Sequence, residues 1–280
     1  CFKAFLGHEF VAETSDGESV HHGVVTIEFS TVRTFGRASS PYHNYTKGRK
    51  FDREIQTRLN AEWIRHQRVT RTFSPLGFAK TRLPDDVFAS LEAFYYNNCH
   101  YKIPEESLID VTINWWQSPV YLIPLTWELT AMVHARLLTI VSAWINGGSE
   151  NETIPLEQTM LYGLRQYETG ARLLTHVDKP ATHAVSAIVN VAQQQHNNDN
   201  QNNNIEPSSW PLEVLDHAER LHEVFMQPGD VVLYESAKAL HGRNRPLSDA
   251  AYVNLFAHYR PRLDGDEWYE RPNPAHTPGV

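Results

Sequence analysis

Apolar positions recur along this chain with two different periods, and the change comes near residue 160. Before it the spacing is helical. Ile55, Leu59, Trp63 and Ile64 fall on one side of a helix over Arg53 to Arg68. Pro84 opens a second helix: Asp85 and Asp86 sit in its first turn, where negative charge meets the positive end of the helix dipole. Val87, Leu91 and Phe94 give it one apolar face. The strongest helix runs from Trp127 to Ile145, with Leu129, Val133, Leu137, Ile140, Val141 and Trp144 in register, and Asn146-Gly147-Gly148 ends it. Beyond Met160 the pattern alternates or runs apolar over short stretches: 160–167, 184–192, 210–216, 221–226, 230–235 and 251–259. Short strands divided by turn residues predict a β-sandwich or barrel, with the helices packed outside a sheet. The expected class is mostly β with flanking helices (α+β).

Two stretches keep neither period. In the first 72 residues, Gly23 to Arg33 alternates enough for one strand, and Phe35 to Lys50 reads as loop. Residues 1–72 therefore read as an N-terminal extension or cap ahead of a domain over 73–270. Residues 193–209 are rich in Gln and Asn, bury no apolar surface and predict a flexible loop.

Composition narrows the function classes. At 280 residues, 41% of them apolar, the chain can bury one large core. A formal charge of -8 with no basic stripe argues against a nucleic-acid partner. No apolar run approaches the roughly 20 residues that span a bilayer, so no membrane partner is expected. The two cysteines, Cys1 and Cys99, exclude a zinc knuckle and a disulfide framework; they leave room for one bridge and imply none. That usage suits a reducing compartment, cytoplasmic or organellar. The first residue is Cys rather than Met, which reads as a truncated start and leaves a targeting peptide open. Nothing in the sequence sets the oligomeric state.

Fifteen histidines turn attention to metal chemistry. His176-Val177-Asp178 follows the first strand, and His241 lies 63 residues beyond Asp178. Two imidazoles and a carboxylate can hold one face of a ferrous ion and leave three positions open. On an extended segment, residues i and i+2 point to the same side, so His176 and Asp178 can share one ion. Other histidines are read more plainly: His183 as a hydrogen-bonded strand residue, His217 and His222 as exposed beside a hairpin at 216–220, and His258 as inward-facing with Asn254 and Phe256. Trp115 and Trp116 are read as core or rim residues, and Glu235 and Lys238 as a local pair.

The segments Tyr167-Glu168-Thr169-Gly170, His176-Val177-Asp178, Trp210-Pro211-Leu212-Glu213-Val214, Pro228-Gly229-Asp230, Tyr234-Glu235-Ser236 and His241-Gly242-Arg243 together resemble the core of the Fe(II)/2-oxoglutarate dioxygenases, closest to the prolyl 4-hydroxylase-like branch. The resemblance covers Leu161 to Pro261 and implies a double-stranded β-helix (jelly-roll, cupin-type). It implies Fe(II) as cofactor, with 2-oxoglutarate and O₂ as cosubstrates and ascorbate as an accessory reductant. The implied reaction oxidises a C–H bond and releases succinate and CO₂. Two departures stand out: no Lys follows His241 by about ten residues, where Ala251, Tyr252, Val253 and Asn254 stand, and Leu173 replaces a Tyr three residues before His176. The far carboxylate of 2-oxoglutarate then falls to Arg243 or Arg245, with Arg165, Tyr167, Tyr252 and Asn254 adding hydrogen bonds. The substrate classes implied are an amino-acid-like small molecule, hydroxylated or closed into a ring, or a peptide as in prolyl 4-hydroxylases. A cupin-like binding protein without catalysis is the alternative from another class.

Overall fold

The computed structural model describes residues 32–37, 50–105, 118–147, 153–195, 210–248, 250–262 and 268–270. Its strands are β1 (Val32–Arg37), β2 (Phe78–Arg82), β3 (Ile103–Pro104), β4 (Val120–Ile123), β5 (Leu156–Tyr167), β6 (Leu173–His176), β7 (Val185–Gln195), β8 (Leu212–Leu215), β9 (Arg220–Val224), β10 (Asp230–Tyr234), β11 (His241–Arg243) and β12 (Ala250–Pro261). The helices are α1 (Lys50–Arg68), α2 (Asp85–Asn98) and α3 (Trp127–Asn146). Two antiparallel sheets face each other. One has seven strands in the order β2-β10-β7-β12-β5-β4-β3, the other five in the order β1-β9-β8-β11-β6. From β5 to β12 the chain crosses between sheets at every step but the β8–β9 hairpin: β5, β12, β7 and β10 lie side by side in one, and β6, β11, β8 and β9 in the other. This is the eight-stranded double-stranded β-helix, a jelly roll.

Alternation along each strand builds the two sides of the larger sheet. Val185, Ala187, Val189 and Val191 of β7, Val231 and Leu233 of β10, and Val253, Leu255, Ala257 and Tyr259 of β12 form the outer cluster with the helices. Their neighbours Ile188, Val232 and Tyr234 meet Leu212, Val214 and Val224 of the second sheet. Because both faces are covered, these strands read as nearly continuous apolar runs. α3 lays Val133, Leu137 and Val141, all fully buried, on the outer face. Each such side chain contributes about 1.5–3 kcal/mol of burial. The Leu129 N–H donates to Thr126 Oγ1 at 3.3 Å and caps the helix. α3 passes a length-and-composition test for crossing a membrane, yet its apolar stripe is spent on the sheet. α2 buries Val87, Leu91 and Tyr95; Phe94, expected on that face, is half-buried beside it.

Several boundaries differ from the sequence reading. Residues 23–31 and 38–49 lie outside the described residues, and the strand there is Val32–Arg37, taking in Phe35 to Arg37 that read as loop. Its antiparallel pairing with β9 supplies the ladder that its own Thr, Gly and Arg do not announce. β5 begins at Leu156, and β7 continues to Gln195 before residues 196–209 leave the described set. The short strands β2, β4, β6 and β11 were not anticipated as strands.

One glycine has a packing role at the centre of the site. A Cβ on Gly242 would stand 2.8 Å from the Leu173 carbonyl oxygen and 2.8 Å from the backbone of Thr175. β6 and β11 approach that closely only without it. Gly242→Ala is expected to cost about 1–3 kcal/mol, which thermal unfolding reads as about 2–4 °C per kcal/mol; an unchanged midpoint would show that the two strands separate freely.

Candidate metal centre and cosubstrate pocket

Strand register brings the two histidines together. His241, the first residue of β11, pairs directly with His176, the last of β6. Their ring centroids are 4.3 Å apart. Each ring is aimed by its own backbone: His176 Nδ1 lies 2.7 Å from the Leu174 carbonyl and His241 Nδ1 lies 2.9 Å from the Ala239 carbonyl. A carbonyl only accepts, so both Nδ1 atoms carry the proton and both Nε2 atoms keep a lone pair. Asp178 completes the group, and one ligand atom from each of His176, Asp178 and His241 lies within 4.8 Å of the others. Its N–H donates to the Ser236 carbonyl at 2.8 Å.

The electrostatics leave these donors ready for a cation. Burial pushes the Asp178 carboxyl up, but the close approach of His176 and the fields of His241, His258 and His176 outweigh it and hold the group well below the usual carboxylate range. Burial, reinforced by His176, lowers His241 to about 4 against the opposing pull of Asp178. The histidine is neutral at pH 7 and the carboxylate ionised. Asp178 Oδ2 is buried with no hydrogen-bond partner among the described residues. Two imidazoles and a buried, unsatisfied carboxylate are the donor set a ferrous ion takes.

His258 faces inward as expected. Burial lowers it to about 3, and its Nδ1 lies 3.8 Å from Asp178 Oδ2. Its neighbours form a hydrogen-bonded chain: Ser236 Oγ donates to the His183 carbonyl at 2.8 Å, Ser186 Oγ and Ser236 Oγ are 2.6 Å apart, and His258 Nδ1 is 2.7 Å from Ser186 Oγ. With the Ser236 proton spent on His183, one arrangement satisfies every hydroxyl: His258 Nδ1–H donates to Ser186 and Ser186 to Ser236. His183 is buried just before β7, its ring centroid 3.9 Å from that of His258 at a tilt of 42°.

The interior continues along β5 and β12. Arg165 and Tyr167 of β5 register opposite Asn254 and Tyr252 of β12. Asn254 Nδ2 is buried with no acceptor among the described residues. Arg243 is 1% exposed, lies 4.6 Å over the rings of both Trp210 and Tyr252, and donates to the Trp210 carbonyl. No carboxylate pairs with it among the described residues. Arg165 lies over Phe256 at 5.5 Å and pairs with Glu105. The structure thus brings Arg243, Arg165, Tyr167, Tyr252 and Asn254 to one interior wall. Arg245 is elsewhere: it is exposed and pairs with Glu223, because β11 ends at Arg243 and the alternation does not reach residue 245.

Two plainer readings change and a third widens. His222 is buried, not exposed, because β9 turns it inward beside Val224; it sits 3.0 Å from Asp216 Oδ2. His217 is half-buried and contacts Glu235 at 3.1 Å. Glu235 and Lys238 interact locally, the Lys238 N–H donating to the Glu235 carbonyl at 2.8 Å and the Glu235 charge opposing the effect of burial on Lys238, but their side chains also reach further: Glu235 accepts from the Ser74 N–H and hydroxyl, and Lys238 Nζ donates to the His66 carbonyl. Trp115 and Trp116 lie outside the described residues. The sequence reading missed Glu62 and Arg65 of α1, which reach the His176–Asp178 segment from 115 and 113 residues away. A helical charge pair carries no local signal of so distant a contact.

No family model matches the chain, and no curated protein matches it. Solved structures are similar in overall path. HygX from Streptomyces hygroscopicus, solved with nickel, 2-oxoglutarate and hygromycin B, is 14% identical with a TM-score of 0.47, over 69% of this chain and 86% of that one. A Pseudomonas putida prolyl-4-hydroxylase is 16% identical with a TM-score of 0.47, over 71% of this chain and 100% of that one. A Trichoplax adhaerens prolyl hydroxylase in complex with a hypoxia inducible factor peptide fragment is 11% identical with a TM-score of 0.45, over 80% and 96%.

Proposed function

We propose that this chain is an Fe(II)- and 2-oxoglutarate-dependent oxygenase. One observation carries the reading: His176, Asp178 and His241 converge inside a double-stranded β-helix whose interior also holds a buried guanidinium, Arg243, without an acidic partner among the described residues. A buried cation in that position calls for an anion, and a dicarboxylate that chelates the metal at one end supplies it at the other.

His176 Nε2, His241 Nε2 and an Asp178 oxygen would hold the iron. Iron with bound 2-oxo acid supplies the activation of O₂ and the oxidation of a C–H bond, with release of succinate and CO₂. The protein's own residues do the rest. The Leu174 and Ala239 carbonyls keep both imidazoles in the ligating tautomer. Arg243 takes the far carboxylate, with Asn254, Tyr167, Tyr252 and Arg165 around it. Arg is suited to this because its planar fork matches a carboxylate.

The substrate reading is an amino-acid-like small molecule, hydroxylated or closed into a ring. Its support is a path outward from the metal: His258 beside Asp178, Tyr162 edge-on to His258 at 5.8 Å, then Arg165 over Tyr162 at 5.9 Å and paired with Glu105. Adjacent opposite charges can exchange for the carboxylate and ammonium of one small zwitterion. Succinate release with Fe(II), 2-oxoglutarate and ascorbate, assayed against free amino acids, substituted glutamates and proline-rich peptides, tests both levels. Turnover with a small amino acid supports the reading. Turnover with peptides alone would replace it by a prolyl 4-hydroxylase. No 2-oxoglutarate binding to the Fe(II) protein, read by the visible charge-transfer band, would leave a binding protein without catalysis.

A further inference from the structure

The ladder between β6 and β11 ends at His176, so the next N–H along the chain needs another partner. α1 provides it. Glu62 Oε2 accepts the Val177 N–H at 3.0 Å, and Arg65 Nη2 donates to the Asp178 carbonyl at 3.0 Å. The two side chains are three residues apart on the helix and pair with each other at 2.8 Å. Together they bracket the Val177-Asp178 backbone, while Ser236 takes the Asp178 N–H within the same segment. The next residue of the helix reaches the turn that leads into β11. His66 Nδ1 lies 2.6 Å from the Lys238 carbonyl, and Lys238 Nζ donates back to the His66 carbonyl at 3.1 Å, three residues before His241. Trp63 seals the contact against the apolar cluster of Val177, Leu215 and Leu240.

We propose that Glu62 and Arg65 are positioning residues of the metal centre: they fix the Val177-Asp178 backbone so that the Asp178 carboxylate turns toward His176 and His241. The inference rests on the metal-centre reading above. An ion pair this accessible, with side chains 37% and 19% exposed, adds little to the stability of a fold by itself. Its hydrogen bonds to a ligand-bearing backbone act instead on ligand geometry. Outer partners of metal ligands typically set affinity by about 10–100-fold.

The test is an anaerobic Co(II) titration of the full chain, read from the d–d absorption bands, with no 2-oxoglutarate, O₂ or turnover involved. Glu62→Ala and Arg65→Met are each expected to weaken Co(II) binding about tenfold, with thermal midpoints close to that of the parent protein. Glu62→Gln, whose amide oxygen still accepts from Val177, should restore most of the affinity. Should Glu62→Ala not fold, Arg65→Met carries the same test through the Asp178 carbonyl alone. Parent-like Co(II) affinity in the folded variants, whether or not their midpoints fall, would overturn the positioning role and leave the metal centre standing. A parent protein that binds no Co(II) would overturn both.

Discussion

Asp178→Ala is expected to bring 2-oxoglutarate-dependent O₂ consumption to background, with succinate release falling in parallel. The substitution removes the one carboxylate of the three-residue group and the negative charge that favours a divalent cation there. It leaves the histidines as they were, since each ring is held through Nδ1 by its own backbone two residues back. The loss should therefore appear as metal affinity, and exceed the about 10–100-fold typical of an outer partner, while far-UV circular dichroism stays that of the folded protein. Burial also penalises the ionised carboxylate, and its Oδ2 has no hydrogen-bond partner among the described residues. Its neighbours nonetheless hold the carboxyl well below the usual carboxylate range, so the ionised form is net stabilising in the fold, and the metal-free variant should unfold somewhat more easily than the metal-free parent. Sustained turnover by the purified, metal-loaded variant would remove Asp178 from the ligand set.

Arg243→Met separates a ligand role from a structural one. If the guanidinium receives the far carboxylate, its removal deletes charge-assisted hydrogen bonds worth about 1.5–3 kcal/mol or more, and 2-oxoglutarate should bind about 100-fold more weakly at the upper end of that range. Metal affinity should be nearly unaffected, because the side chain lies over Trp210 and Tyr252. The unliganded protein should keep or gain stability, since an apolar side chain of similar length relieves a buried cation that has no acidic partner among the described residues. Isothermal titration with 2-oxoglutarate under anaerobic Mn(II) loading, alongside thermal unfolding, reads both. An unchanged dissociation constant would transfer the role to Arg165, which lies on the same wall.

The sequence made the long strands and the candidate metal ligands visible for different reasons. β7, β10 and β12 are buried on both faces, so their apolar runs stand out against any background. α3 shows because its period holds for five turns. The ligands show because His-x-Asp obeys strand alternation and a distant His follows a Pro-Gly turn. β6 and β11 did not show: they have four and three residues, and their polar side chains serve the site rather than a core. Arg243 and Arg245 looked equivalent, since only the end of β11 sends one inward and the other to Glu223. The contacts of α1 with the ligand segment depend on tertiary docking that no local pattern encodes.

The direct pairing of His176 with His241 also governs which changes in chain length the site can survive. Side chains alternate across a strand, so adding or deleting one residue in β6 would turn its histidine away from the interior, toward the side where Thr175 meets Asn244. Two residues would restore the side but displace the ring by about 6.6 Å along the strand, beyond the reach of a shared ion. Point substitutions can tune this centre; insertions within its strands can only dismantle it.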